Sequence, residues 1–140
     1  MKTFIIEDNK FYANVLNARL EKFMEGSIDI YHSGKEALNN IYKQPNLIFL
    51  DYNLPDIKGL DILKQIKSTY PNIQVVLLSG QEKIEIAVNC LRYGAMDYII
   101  KNNEDHNERI EKIFNDLKEF ELDINPKKSS TPFFRRLFNF

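Results

Sequence analysis

The chain has 140 residues, 44% hydrophobic and 28% charged, with a formal net charge of −1. That composition suits one globular domain with a real core. No apolar run approaches the roughly 20 residues needed to cross a bilayer, so a membrane is disfavoured. Lys127, Lys128, Arg135 and Arg136 give residues 126–140 a charge of +4, which leaves −5 on residues 1–125. An acidic body with a short basic tail lacks the spread basic face of a nucleic-acid binder, and no nucleic-acid partner is expected. The first apolar run breaks at Glu7, so it does not read as a signal peptide. Cys90 is the only cysteine. It cannot form an internal disulfide, which fits a reducing, cytoplasmic setting.

Thr3 to Ile6 is a short apolar run that ends in Glu7-Asp8. Asn9 is placed to cap a helix whose face is Tyr12, Leu16, Leu20 and Phe23, stopped at Glu25-Gly26. Ile28, Ile30 and Tyr31 suggest a second strand. Ser33 and Glu36 stand at capping-box spacing for a helix that buries Ala37, Leu38, Ile41 and Tyr42. Gln44-Pro45 ends it, because the residue before proline avoids the helical region. Leu47 to Leu50 then run straight into Asp51, followed by the turn residues Asn53, Pro55, Asp56 and Gly59. An apolar run bounded in this way reads as a strand buried on both faces.

Leu60, Leu63, Ile66 and Tyr70 are spaced as one helical face, broken by Pro71-Asn72. Ile73 to Leu78 is a further buried strand, ending in Ser79-Gly80. Ile84, Ala87, Val88 and Leu91 form a weaker helical stripe, ended by Gly94. Asp97 to Ile100 is a fifth short strand that ends in Lys101. Ile110, Ile113, Phe114, Leu117 and Phe120 mark a long last helix. Strand and helix thus alternate five times. The pattern predicts a doubly wound α/β domain over residues 1–121, a five-stranded parallel sheet with helices on both faces and right-handed crossovers. Residues 122–132, with prolines at 126 and 132, read as a linker. Residues 133–140 form a tail, and residues 132–140 hold four of the ten phenylalanines.

Four of the five strand ends carry a polar group: Glu7-Asp8, Asp51, Ser79 and Lys101. In a parallel sheet these ends share one rim, where ligands bind. A lone acid after a strand is usually a cap or a turn residue; the set together is specific. Three carboxylates and one ammonium leave the rim with excess negative charge, a repulsive cluster unless a divalent cation joins it, and oxygen ligands of this kind suit Mg2+. Asp51 can then act as a nucleophile toward phosphorus. Lys101 can neutralise phosphoryl oxygens, and the Ser79 hydroxyl can donate to them.

On these residues the chain resembles the receiver domain of two-component response regulators. The stretches that carry the likeness are IIED (Glu7, Asp8), FLDYNLPDIKG (Asp51, Pro55, Gly59), VVLLSG (Ser79) and DYIIK (Tyr98, Lys101). The resemblance covers residues 1–121 and implies the flavodoxin-like, CheY-like (βα)5 fold. It implies that Asp51 accepts a phosphoryl group from a histidine kinase or a histidine phosphotransfer protein. It implies that Asp8, Asp51 and the backbone carbonyl of Asn53 hold Mg2+, with Glu7 acting mainly through water. It implies a switch in which Ser79 moves to the phosphoryl group and Tyr98 turns inward, reshaping the face of the fourth helix, fifth strand and fifth helix. The acidic pair here is Glu-Asp rather than Asp-Asp, and serine stands at 79 in place of the more usual threonine; both keep the needed atoms. Asn102 stands where the family often has a cis proline, so no such kink is expected.

The expected function is that of a stand-alone receiver, a signalling module rather than an enzyme, whose output is protein–protein contact. The tail residues Phe133, Phe134, Arg135, Arg136, Leu137 and Phe138 are read as a docking peptide for a partner. Two other functions compete. One is a phosphorylation-independent docking module acting through the tail. The other is a Mg2+-dependent phosphatase, disfavoured because Asn53 stands where the general acid would be. Tyr98 also has a plain packing role open to it, as does Cys90. His32 and His106 are not placed to form a metal site.

Overall fold

The computed structural model describes residues 1–124. Five strands, β1 (Lys2–Ile6), β2 (Ser27–Tyr31), β3 (Leu47–Asp51), β4 (Gln74–Ser79) and β5 (Asp97–Ile100), form one sheet in the order β2-β1-β3-β4-β5. Every pairing is parallel. The five helices are α1 (Lys10–Leu20), α2 (Gly34–Asn39), α3 (Gly59–Thr69), α4 (Ile84–Arg92) and α5 (His106–Ile124), with a short 3-10 turn at Ile41–Lys43 after α2. The expected fold class is the one observed.

Alternation along the strands explains why the inner ones are almost wholly apolar, while the edge strand β2 carries Ser27 and Asp29. Phe4, Ile6, Ile48, Leu50, Val75 and Leu77 face one core with α2, α3 and α4. Ile5, Leu47, Phe49, Val76, Leu78 and Ile99 face a second core with α1 and α5. A strand covered by helices on both sides has no polar face to display. β3, central in the sheet, is buried at all five positions including Asp51.

The caps follow the sequence signals. The Asn9 side chain accepts from the Tyr12 N–H, and Ser33 Oγ accepts from the Glu36 N–H. Asp56, read only as a turn residue, has a larger part: its two carboxylate oxygens accept from the Gly34 and Lys35 N–H groups at 3.0 and 2.8 Å. The loop after β3 is thereby tied to the start of α2, where a helix favours an anion.

Two predicted faces need correction. In α4, Ile84, Val88 and Leu91 are exposed, at 81, 47 and 49%. The helix instead turns Cys90 fully inward, with Ile86 and Ala87 packed beside it. The helix has three apolar residues on each of two sides, and Ile84, Val88 and Leu91 are on the side that faces outward. Tyr42 is also exposed, because α2 stops at Asn39 and the 3-10 turn shifts the residues that follow off the helical period. The first helix stops at Leu20, earlier than the glycine at 26 implied, and in α3 the fully buried Ile62 joins Leu63 and Ile66. α5 runs to Ile124, so it overlaps the start of the linker expected at 122. The Phe120 side chain, the rest of that linker and the tail at 133–140 lie outside what is described.

Gly59 opens α3 where the chain passes back over β3. A Cβ there would lie 2.6 Å from the Asp51 carbonyl oxygen and 2.7 Å from Tyr52 Cα, both backbone atoms that cannot step aside. Gly59→Ala is therefore expected to destabilise the protein by about 2 kcal/mol or more, read as a lower urea midpoint at unchanged slope.

Candidate phosphoryl-acceptor site

The sheet order reverses between β1 and β3: the chain leaves β1 toward β2 on one side and resumes with β3 on the other. Loops diverge at such a point and open a crevice at the C-terminal rim. The groups singled out in the sequence stand there. Asp51 ends β3 and Ser79 ends β4; Glu7-Asp8 follow β1 and Lys101 follows β5.

Glu7 is fully buried, Asp51 is 3% exposed and Asp8 is exposed. One carboxylate oxygen from each lies within 4.8 Å of the others. The Lys101 ammonium sits 2.8 Å from Glu7 Oε1 and 3.4 Å from Asp51 Oδ2. Asp51 Oδ1 accepts from the Asn53 N–H at 3.0 Å, an Asx-type turn that orients the carboxylate. The second Glu7 oxygen, Oε2, is buried with no hydrogen-bond partner. A buried polar atom left in this way is costly.

Glu7 carries the strain of the cluster. Burial, and then the adjacent Asp51 carboxyl, raise its pKa from the usual 4.5 to about 7, against the opposing pull of Lys101. An orphaned carboxylate oxygen beside two further carboxylates is the donor set that a hard divalent cation completes, so the residues present fit Mg2+. Glu7, Asp8 and Asp51 are the side chains that would hold it.

Ser79 and Tyr98 meet at one residue. Ser79 Oγ accepts from the Gln81 N–H at 3.1 Å, and the Tyr98 hydroxyl donates to the Gln81 carbonyl at 2.9 Å. Tyr98 is 6% exposed, so its ring already points inward. Burial pushes its phenol pKa up. Gly80, between them, leaves open space: a Cβ there would meet nothing within 4 Å. The peptide bonds of the described residues are all trans, including the one after Lys101, as Asn102 implied.

Comparison with known proteins comes to the same place. The family model described as the response regulator receiver domain matches residues 3–114. The regulatory protein LuxO of Vibrio cholerae is 33% identical over 98 residues, which cover 69% of this chain and 21% of LuxO. The chain spans about a fifth or less of the LuxO proteins it matches. Among solved structures, a CheY-like receiver domain protein from Methanospirillum hungatei is 27% identical with a TM-score of 0.76, covering 87% of this chain and 97% of that one. The BeF3-activated receiver domain of DrrB, a Thermotoga maritima protein, is 26% identical with a TM-score of 0.71, covering 85% and 95%.

The raised Glu7 pKa has a definite sign. Its stabilising contribution is complete below pH 4.5 and is lost as pH rises through about 7, where the buried carboxylate is left charged beside Asp51. A cation on the cluster would remove that cost and draw the proton off. Calorimetric Mg2+ titration at about pH 6, in buffers of different ionisation enthalpy, should show proton release that disappears by about pH 8.5 and in Glu7→Gln.

Proposed function

Because the chain belongs to the response regulator receiver family, we propose that Asp51 is the residue that takes the phosphoryl group. The observation that carries this is Asp51 itself: a carboxylate at the end of the central strand, 3% exposed, with Lys101 at 3.4 Å and two further acids beside it. The donor is a phosphohistidine on a histidine kinase or a phosphotransfer protein. An Asp51 oxygen attacks phosphorus, the P–N bond breaks, and the imidazole leaves with a proton. Transfer of this kind depends on positioning and charge rather than on covalent help. Lys101 offsets charge on the equatorial oxygens, and the Ser79 hydroxyl can turn from Gln81 toward one of them. Mg2+, when bound by Glu7, Asp8, Asp51 and the Asn53 carbonyl, supplies the remaining positive charge.

The output follows from the bonds at Gln81. Ser79 and Tyr98 both hold this residue, three positions before α4 begins. Movement of Ser79 to a phosphoryl oxygen releases the Gln81 N–H and loosens the approach to α4. The exposed Ile84, Val88, Leu91 and Tyr93 then supply the apolar surface that an output protein can read, on the face of α4, β5 and α5. The tail at residues 133–140 adds a second docking element by its sequence. Among the described residues no helix is long and apolar enough to cross a membrane. The lone, buried Cys90 fits a cytoplasmic setting.

Incubation with Mg2+ and acetyl phosphate should add the mass of one phosphoryl group to the protein and none to Asp51→Asn. Ser79→Ala should still be phosphorylated, about tenfold more slowly, as expected when one donor to the transferring group is lost. Removal of residues 126–140 should leave phosphorylation unchanged and weaken capture of the output partner from cell extract. Equal capture with and without the segment contradicts the docking role of the tail.

A further inference from the structure

Lys101 is held by more than its two carboxylates. Its ammonium lies 4.8 Å from the centre of the Tyr12 ring, within the range of about 6 Å for an attraction between cation and ring. The Tyr12 hydroxyl meets His106 Nε2 at 2.8 Å, and the two rings stand edge to face, 6.2 Å apart at 89°. On the far side of the imidazole, Arg19 reaches Nδ1 at 2.9 Å. Tyr12 and Arg19 are seven residues apart on α1, two turns on one face; His106 is the first residue of α5 and only 4% exposed.

The direction of each bond is settled by what the groups can do. Arginine has donors only, so His106 Nδ1 must accept. The single proton of the neutral imidazole is then on Nε2, which donates to the Tyr12 oxygen. Burial, and then Arg19, hold the His106 pKa down, which keeps the ring in this neutral form. Burial, and then the nearby Glu7, push the Tyr12 phenol pKa up, so it stays uncharged beside the ammonium. Both rings are therefore fixed, and neither repels Lys101.

We propose that Tyr12 is a positioning residue for phosphoryl transfer: braced by His106 and Arg19, its ring holds the Lys101 ammonium against Glu7 and Asp51. A lysine stem is long and flexible, and an ammonium free to swing offers its charge to the transferring group only part of the time. The two carboxylates draw the ammonium at 2.8 and 3.4 Å. The Tyr12 ring, 4.8 Å away, limits its swing, and α1 and α5 are the rigid supports of that ring. The proposal rests on the role given to Lys101 above.

The test is a double-mutant cycle on the full chain. Phosphorylation rates by acetyl phosphate at saturating Mg2+ are measured for wild type, Tyr12→Leu, Lys101→Met and the double variant, below the melting temperature of each. Tyr12→Leu should slow phosphorylation about tenfold, and Tyr12→Phe, which keeps the ring but loses the hydroxyl that His106 holds, should be slowed less than Tyr12→Leu. In the Lys101→Met background Tyr12→Leu should have no further effect. If Lys101→Met is slow but Tyr12→Leu reacts at the wild-type rate, or slows both backgrounds equally, the positioning role is overturned alone. If Lys101→Met itself reacts at the wild-type rate, the role of Lys101 and this proposal fall together. Should Tyr12→Leu not fold, Tyr12→Met serves in the same cycle with the same expected rates.

Discussion

Three carboxylates drawn together at the rim of a sheet, with one ammonium among them, are the constraint on which the rest of this molecule depends. Glu7 is wholly buried, Asp51 nearly so, and Lys101 bridges them at 2.8 and 3.4 Å. One positive charge does not balance three negative ones. Burial, and then the neighbouring Asp51, lift the Glu7 pKa to about 7, and the second Glu7 oxygen is left buried without a partner. A fold gains nothing in stability from such an arrangement; a site that must gather a cation and a phosphoryl group does.

The scaffold converts that local imbalance into a device. β3, apolar from Leu47 to Leu50 and packed on both faces, gives Asp51 a rigid mount. Gly59 lets α3 begin against the backbone of β3, and Asp56 ties the intervening loop to α2. On the other side, Gln81 is bonded through its N–H to Ser79 and through its carbonyl to Tyr98, just before α4. Arg109 of α5 donates both to the Asp97 carboxylate and to the Tyr98 carbonyl, so β5 and α5 are joined at the same place. Under the proposed switch, a shift of Ser79 by the length of one hydrogen bond would disturb the approach to α4, the helix that leaves Ile84, Val88 and Leu91 in solvent.

Much of this was legible in the order of residues, and the reason is topological. A parallel sheet sends every strand end to one rim, so a polar residue closing each of several buried runs predicts a common site without any knowledge of distances. Asp51, Glu7-Asp8, Ser79 and Lys101 are all expected at that rim on this ground, and they stand at the strand ends. The expected α4 stripe is only partly the buried one, because apolar residues lie on two sides of the helix. Periodicity cannot say which side meets the sheet; Cys90, Ile86 and Ala87 do so. In the sequence Asp56 reads only as a turn residue, because its partners, Gly34 and Lys35, are more than twenty positions earlier in the chain. The Tyr12–His106–Arg19 chain was invisible for the same reason: its members are separated by 94 and 87 residues, and a lone buried histidine gives no pattern to follow.

The central claim is that the phosphoryl group goes to Asp51 and to no other carboxylate of the crowded rim. Borohydride reduction of the phosphorylated protein converts an aspartyl phosphate to homoserine, and peptide sequencing by mass spectrometry locates it. The account predicts homoserine at position 51 alone. Homoserine at position 8, or reduction at no aspartate in a protein that has gained a phosphoryl mass, would contradict it.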